Sequence, residues 1–185
     1  VFGPSTTANT YVLAHAFADV LEPGHEVIVT NQDHEANTGA IRRAAERVGC
    51  EIKEWRIDPD TGLLDIADFE ALLSERTGLV TVPHVSNIVG AENDVAAVAR
   101  FTRDVGAVLQ VDGVSAAPHG LPDLDALGCD TCGDGAITLF MGKVMGGGRR
   151  TYSAAPEPGR QSRHDRLVAP EVEPGSTNAN SLNSA

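Results

Sequence analysis

The chain has 185 residues, long enough for one domain with a sizeable core and too short for two large ones. It carries 26 acidic and 14 basic residues, a formal net charge of −12, and no basic run longer than two residues, so we expect no nucleic-acid partner. No apolar segment approaches the roughly 18 residues that a membrane span needs, and the first residues lack the pattern of a signal peptide, so we expect no membrane partner.

Hydrophobic periodicity and turn residues predict helices that alternate with strands. Strands joined to helices by such short connections are typical of an α/β fold with a mostly parallel sheet, arranged as three layers, α/β/α. Asp65 is suited to the N-cap of the third helix. In chain order we expect a helix over 8–21, a strand over 26–30, a helix over 37–48, a strand over 51–57, a helix over 65–75, a strand over 79–85, a helix over 94–105, and strands over 107–111 and 136–140.

The end of the chain has a different composition. Residues 146–185 are dominated by Gly, Pro, Ser, Asn and Arg and contain few large apolar side chains. Such a segment cannot bury enough surface to offset the entropy of ordering it. We therefore predict a domain over 1–145 and a poorly ordered or incompletely packed tail over 146–185. The start at Val1 rather than Met suggests a fragment or a processed chain.

Polar residues follow several of the predicted strands. In parallel sheets ligands gather at the carboxyl ends of the strands. His34, Asn87 and Asp112 come after three of these strands, and Lys143 comes after the last candidate strand. The stretch 5–7, Ser-Thr-Thr, precedes the first helix and offers hydroxyls and free backbone N–H groups to an anion.

This set of groups suits pyridoxal 5'-phosphate. The cofactor needs a lysine for a Schiff base and a carboxylate that keeps its pyridine nitrogen protonated. A carboxylate at the end of a buried strand is costly unless a cation or a hydrogen-bond donor meets it, so we expect Asp112 to meet the pyridinium. Each signal also has a simpler interpretation: residues 5–7 suit a helix N-cap, and Asp112-Gly113 suits a turn.

Four segments, in this order, carry a resemblance to a known family. The chain resembles the class V aminotransferases of fold type I, in the branch of the cysteine desulfurases and selenocysteine lyases. The resemblance covers roughly residues 1 to 130. The segments are GPSTTANT (3–10), NQDHEANTGAIRR (31–43), VPHVSNIVGAENDV (82–95) and VDGVSAAPHGLPDLDALGCD (111–130).

The resemblance implies a role for each candidate residue. Ser5, Thr6 and Thr7 would bind the cofactor phosphate. His34 would stack on the ring and move protons, and Asn87 would contact the phenolic oxygen of the ring. Asp112 would pair with the pyridine nitrogen. Ser115 stands where many cysteine desulfurases have a glutamine and would also contact the cofactor. Lys143 would form the Schiff base.

The resemblance also implies an activity, a partner and a location. Members act as transferases or lyases on an amino acid through an external aldimine, and fold type I relatives work as homodimers. We therefore expect an amino-acid substrate, a homodimer and a cytoplasmic protein. However, Phe140 and Gly142 differ from the residues that the family commonly has before its lysine, residues 131–135 look like an extra piece, and the family's small C-terminal domain is missing. Whether this chain is an enzyme by itself is therefore left open.

Two alternatives remain at this point. The chain could be a catalytically inactive, truncated paralogue or a dimerisation remnant. It could also be a nucleotide-binding α/β domain, although the sequences G-x-G-x-x-G and G-x-x-x-x-G-K-[ST] are absent.

The three cysteines raise the question of a metal. Cys129 and Cys132 have the C-x-x-C spacing of half a zinc or redox site, but only Cys50 is left to complete it, so we predict no metal. An odd number of cysteines also argues against a disulfide framework and favours a reducing compartment such as the cytosol.

Overall fold

The computed structural model describes residues 4–120 and 123–133. Within these ranges helices and strands alternate as the sequence predicts. The helices are α1 (Thr6–Ala18), α2 (Glu35–Val48), α3 (Ile66–Leu72), α4 (Val95–Asp104) and α5 (Leu124–Leu127), and Ala117–His119 forms a short 3₁₀ turn. The strands are β1 (Glu26–Thr30), β2 (Glu51–Trp55), β3 (Thr77–Pro83), β4 (Val108–Asp112) and β5 (Thr131–Gly133).

The five strands form one parallel sheet in the order β2-β1-β3-β4-β5. After β1 the chain crosses to β2 on one side, and after β2 it returns to place β3 on the other side of β1. The order therefore reverses between β1 and β3. In open α/β sheets the crevice outside the carboxyl ends of the strands at such a reversal is where ligands bind.

Helices cover both faces of the sheet, so the predicted three-layer α/β/α fold is confirmed. Alternate residues of the inner strands point to opposite faces, which gives two separate cores. One core joins β1, β3 and β4 to α3 and α4 and includes Ile28, Phe69, Val80, Val98 and Leu109. The other joins the opposite face to α1 and α2 and includes Phe17, Val27, Ile41, Leu79 and Val108.

Helix caps explain where the observed boundaries differ from the predicted ones. The predicted first two helices began at residues 8 and 37, whereas α1 and α2 begin two residues earlier. Ser5 caps α1, and the imidazole of His34 caps α2 by accepting a hydrogen bond from the N–H of Ala36. A histidine is not among the common N-cap residues, so its role was not evident from the sequence. The prediction that Asp65 caps the third helix is confirmed.

The strand boundaries move by a few residues. The strand expected over 79–85 runs over Thr77–Pro83, and Val85 instead forms an isolated bridge with Glu92. The strand expected over 107–111 ends at Asp112, so this residue lies in β4 and not after it. No strand was predicted over Thr131–Gly133, which forms β5 and pairs with β4. The strand expected over 136–140 and the boundary after residue 145 lie outside the described residues and stay predictions.

At the amino end of the sheet, Glu26 ties three strands together. Its side chain is fully buried, and it pairs with the ammonium of Lys53 on β2 at 2.8 Å and with the guanidinium of Arg76. Hydroxyls of Ser74 and Thr77 also donate to it. Burial alone would raise the pKa of Glu26, but these hydrogen bonds and cations hold it below its usual value.

None of the helices in residues 4–120 and 123–133 is long and apolar enough to cross a membrane.

Candidate functional site

The side chains of interest lie at the carboxyl ends of β1, β3 and β4. Residues after β1 and β3 are joined across the point where the strand order reverses. The hydroxyl of Ser86 donates to the backbone oxygen of Gln32 at 2.8 Å, and the side chain of Asn93 donates to Oε1 of Gln32 at 2.7 Å. These contacts connect the segments that follow β1 and β3 at the edge where the strand order reverses.

Asn37 connects the carboxyl end of β1 to that of β4. Its amide nitrogen donates to Oδ2 of Asp112 and, at 3.3 Å, to Oδ1 of Asp33. On its other side, the hydroxyl of Thr10 on α1 lies 2.9 Å from its amide oxygen. Thr10, Asp33 and Asn37 are 2%, 6% and 3% exposed, so this network is shielded from solvent.

The two carboxylates of this network lie in an unfavourable environment for charge. Burial, and next the negative charge of Asp112, raise the pKa of Asp33 to about 7 from its ordinary 3.8. Burial also raises the pKa of Asp112, although hydrogen bonds from Val114 and Asn37 and the nearby His34 oppose this. None of the ion pairs among the described residues includes Asp33 or Asp112. The site therefore favours a cation or a shared proton.

The carboxylate pair makes stability depend on pH. Because the folded chain holds the proton of Asp33 more tightly than the unfolded chain does, this contribution is fully present below about pH 4 and is lost as the pH rises towards 7. Asp33→Asn removes this titration. Between pH 5 and pH 8, without added ligand, we therefore expect the free energy of unfolding of the wild type to fall by about 2 kcal/mol more than that of the variant. Urea denaturation of the wild type and the variant at both pH values measures the difference.

The matched control for this experiment is Asp60→Asn, which makes the same substitution in an exposed turn. The control should follow the wild type at both pH values. If Asp33→Asn showed the same pH dependence of the free energy of unfolding as the wild type, Asp33 would be as acidic as an exposed aspartate and the argument would be wrong.

His34 presents its imidazole at the start of α2. Its Nδ1 accepts the N–H of Ala36 at 2.9 Å, so the neutral ring carries its proton on Nε2. Asn37, which contacts Asp112, lies three residues after His34, a rise of about 4.5 Å along the helix. The structure thus brings His34 and Asp112 close together, and the exposed His34 ring is free to stack on a flat ligand.

The N-terminus of α1 lies beside the same edge. Ser5 caps the helix by accepting the N–H of Ala8 at 3.0 Å, as its simpler interpretation predicted. A methyl group of Thr6 lies against Gly133, which pairs with Asp112. The hydroxyl of Thr6 and the amide nitrogen of Asn9 are buried and have no hydrogen-bond partner within the described part of the chain. Thr7 is exposed.

Two other predicted residues make no direct contact with this network. Asn87 is exposed in the turn that follows β3, where Ser86 accepts the N–H groups of Ile88 and Val89. Ser115 is half-buried in the turn after β4. In residues 4–120 and 123–133 neither side chain has a recorded hydrogen bond, so both stay predictions of cofactor contacts.

Lys143 lies outside the described residues, and the structure gives the position of the other lysine. The ammonium of Lys53 pairs with Glu26 and donates to the backbone oxygen of Leu72 at 2.9 Å. It lies on β2, at the far edge of the sheet from β4, and it pairs with the amino end of β1, not with the carboxyl ends where Asp112 lies. Lys53 is therefore a structural residue.

Sequence reasoning missed Thr10, Asp33 and Asn37. All three lie within or beside the quoted motifs, but no single-sequence signal separates them from ordinary helix residues. The available signal was one of position: Asp33 and His34 lie in the short loop between a buried strand and α2, and Asn37 lies in the first turn of that helix. A carboxylate in that position needs a donor, and Asn37 is the polar residue that reaches it.

Cys129 and Cys132 lie in the core between the sheet and α4. Both are buried and neither forms a disulfide, and a hydrogen bond from Cys132 lowers the pKa of Cys129. Among residues 4–120 and 123–133, no group of three or more His, Cys, Asp or Glu side chains is placed to hold a metal ion.

Comparison with known proteins assigns the chain to a family. The model of the aminotransferase class-V family matches residues 1–135. The chain is 32% identical over 152 residues to a cysteine desulfurase of Haloferax volcanii, a match that covers 77% of this chain and 35% of that protein. It is 40% identical over 132 residues to an aminotransferase-like protein of Gibberella zeae, covering 70% of this chain and 32% of that protein.

A solved structure supports the same assignment. The fold matches the crystal structure of the cysteine desulfurase CsdA from Escherichia coli with a TM-score of 0.69 and 26% identity, over 72% of this chain and 34% of that one. The chain thus spans about a third of the length of the relatives that it matches.

Proposed function

The chain belongs to the class-V aminotransferase family, in its cysteine desulfurase-like branch, and from this we propose that it binds pyridoxal 5'-phosphate at the carboxyl edge of its sheet and acts on an amino acid there. The observation that carries the proposal is the half-buried carboxylate Asp112, which Asn37 holds beside His34 and which has no cationic partner among residues 4–120 and 123–133. A protonated pyridine nitrogen would be that partner.

The described residues fit this cofactor. Asp33 and Asp112 favour a cation in a site shielded from water, which is the environment that a pyridinium nitrogen needs. At the N-terminus of α1, the buried hydroxyl of Thr6 and the amide of Asn9 lack partners, and the helix end favours an anion. A phosphate and a cationic ring nitrogen are two of the charged groups that the cofactor carries.

Each residue has a separate task in the proposed site. When bound, the cofactor supplies a ring that accepts electrons from bonds at the Cα of an amino acid. Asp112 would keep the proton on the ring nitrogen, and the imidazole of His34 would cover one face of the ring and donate a hydrogen bond from its Nε2. Asn87 and Ser115 would orient the ring, Ser5, Thr6 and Thr7 would hold the phosphate, and Lys143 would hold the cofactor through its amine.

The names of the relatives indicate a class of substrate but not one particular substrate. Several are named cysteine desulfurases, so cysteine or selenocysteine is the substrate we propose first, with release of sulfur or selenium and formation of alanine. One relative of higher identity is named only an aminotransferase-like protein, which keeps other amino acids in view. We also propose a homodimer in the cytoplasm, since fold type I relatives place their cofactor sites near a dimer interface.

A second candidate function is an inactive paralogue that keeps the sheet without the chemistry. The departures at Phe140 and Gly142 favour it, because these residues lie three positions and one position before the proposed lysine. The division into a partial pyridoxal-phosphate-binding domain over 1–145 and a poorly ordered or incompletely packed tail over 146–185 stays a proposal.

Colour separates the two candidates. A pyridoxal phosphate joined to a lysine absorbs visible light, so the purified chain mixed with the cofactor and dialysed should stay yellow. We expect one cofactor per chain by absorbance after release in alkali. If the chain is mixed with millimolar cofactor and is colourless after dialysis, the result would instead support the inactive paralogue.

A further inference from the structure

Asn37 and Asp33 extend the proposed site beyond the residues that contact the cofactor. We propose that Asn37 is a positioning residue, which holds Asp33 and Asp112 on one amide and directs the negative charge of both carboxylates towards the nitrogen of a bound pyridine ring. The inference rests on the proposed function, since the cofactor supplies that ring.

The hydrogen-bond geometry assigns the two ends of the amide. The nitrogen of Asn37 faces Oδ1 of Asp33 and Oδ2 of Asp112, and its oxygen faces the hydroxyl of Thr10. Two ionised carboxylates can only accept hydrogen bonds, so they require the nitrogen of the amide on their side. The hydroxyl of Thr10 can then donate to the amide oxygen and fix the orientation of the side chain.

The remaining hydrogen bonds leave each carboxylate aligned and still able to accept. Oδ1 of Asp112 accepts the N–H of Val114 at 2.9 Å, and Oδ1 of Asp33 accepts the N–H of His34 at 2.7 Å. The other oxygen of Asp33 is buried and without a partner among residues 4–120 and 123–133. Asp33 is therefore held in place by one oxygen while its charge is left uncompensated.

The elements packed around this unit add few charges. α1 contributes neutral Thr6, Asn9 and Thr10, and β5 contributes Gly133. The titratable groups are the two carboxylates, His34 at the start of α2, and His84 after β3. The N–H of His84 donates to the backbone oxygen of Asp112, and its Nε2 lies 3.6 Å from Glu92. The carboxylate of Asp33 is therefore the nearest charge to Asp112 that no cation balances. Its negative charge would act on a bound ring through Asn37 and Asp112.

The experiment uses pyridoxine 5'-phosphate, which has no aldehyde and cannot react with Lys143. Binding is followed by fluorescence, and protonation of the ring nitrogen by near-ultraviolet absorbance, both between pH 5 and pH 9. We expect Asn37→Leu, which keeps the volume and removes the donor, to weaken binding at pH 8 about tenfold or more and to lower the pH at which the bound ring loses its proton.

Two further variants separate positioning from general damage. Asp33→Asn should weaken binding about threefold at pH 8 and have a smaller effect at pH 5, because Asp33 is protonated in the free wild type at the lower pH. Thr10→Val should show part of the Asn37→Leu effect, and Thr10→Ser, which restores a hydroxyl, should recover the wild-type affinity. Circular dichroism checks that each variant folds. If Asn37→Leu does not fold, the comparison of Thr10→Val with Thr10→Ser decides the result.

Two outcomes contradict the inference in different ways. If the wild type binds pyridoxine 5'-phosphate and the Asn37→Leu and Thr10→Val variants bind it equally, with the same ring protonation, the positioning role is wrong and the cofactor site stands. If the wild type does not bind it at any pH, the proposed function fails and the inference fails with it.

Discussion

Replacing Lys143 with alanine should abolish covalent attachment of the cofactor. Borohydride reduces the carbon–nitrogen double bond between a lysine and pyridoxal phosphate to a stable amine, so the wild type should carry the cofactor after denaturation. The chain contains two lysines, and Lys53 is occupied by Glu26 at the amino end of the sheet. We therefore expect mass spectrometry of the reduced wild type to locate the cofactor on the peptide that contains Lys143.

The control is Lys53→Arg, which keeps a cation beside the buried carboxylate of Glu26. This variant should incorporate cofactor as the wild type does. Lys53→Ala is a poorer control, because it removes one of the two cations that pair with the buried carboxylate of Glu26, and breaking a buried ion pair is destabilising. Undiminished incorporation in Lys143→Ala would assign the attachment to Lys53 or to the chain terminus and would remove the main catalytic role proposed for residue 143.

Asp112→Asn should weaken cofactor binding by about 10- to 100-fold at pH 8, because a hydrogen bond to a charged group stabilises a complex by about 1.5–3 kcal/mol. The asparagine can still accept the N–H of Val114, as the aspartate does, but it has no charge with which to keep the ring nitrogen protonated. The absorbance of the bound ring should therefore be that of the neutral pyridine at a pH where the wild type still shows the protonated form. Cofactor titration with absorbance detection measures both effects.

Asp94→Asn is the matched control for this substitution. Asp94 caps α4, which begins at the same edge of the sheet, and asparagine caps helices about as well as aspartate does. Equal affinity and equal ring protonation in the Asp112→Asn and Asp94→Asn variants would mean that Asp112 does not face the ring nitrogen.

The parts of the fold that the sequence predicted are those with strong local signals. Glu26–Thr30 is a short run of β-forming residues, and Asp94 precedes a run with helical periodicity, so both elements were placed to within a residue. β5 is only three residues long, and it is a strand because it pairs with β4, which is a contact between distant parts of the chain. Periodicity within a short window carries no such information.

The site was predicted in part for a similar reason. Asp112 was identified because it follows an apolar run, and its burial agrees with that argument. Asn37 was missed because its importance depends on Asp112, 75 positions later in the chain. Thr10 was missed for the same reason, since its hydroxyl contacts the amide of Asn37 and its own helix and not Asp112.

The carboxylate pair at the carboxyl edge also has a consequence for the lifetime of the protein in the cell. A ligand that binds only the folded chain stabilises it by an amount that grows with ligand concentration. Near neutral pH part of the cofactor-free population carries two mutually repelling carboxylates beside Asn37, so the free chain opens more often than a chain in which a cation lies against them. Proteases cleave opened chains, and an added stability of one or two kcal/mol changes abundance severalfold. The amount of this protein should therefore rise and fall with the supply of the cofactor precursor, even when its synthesis is constant.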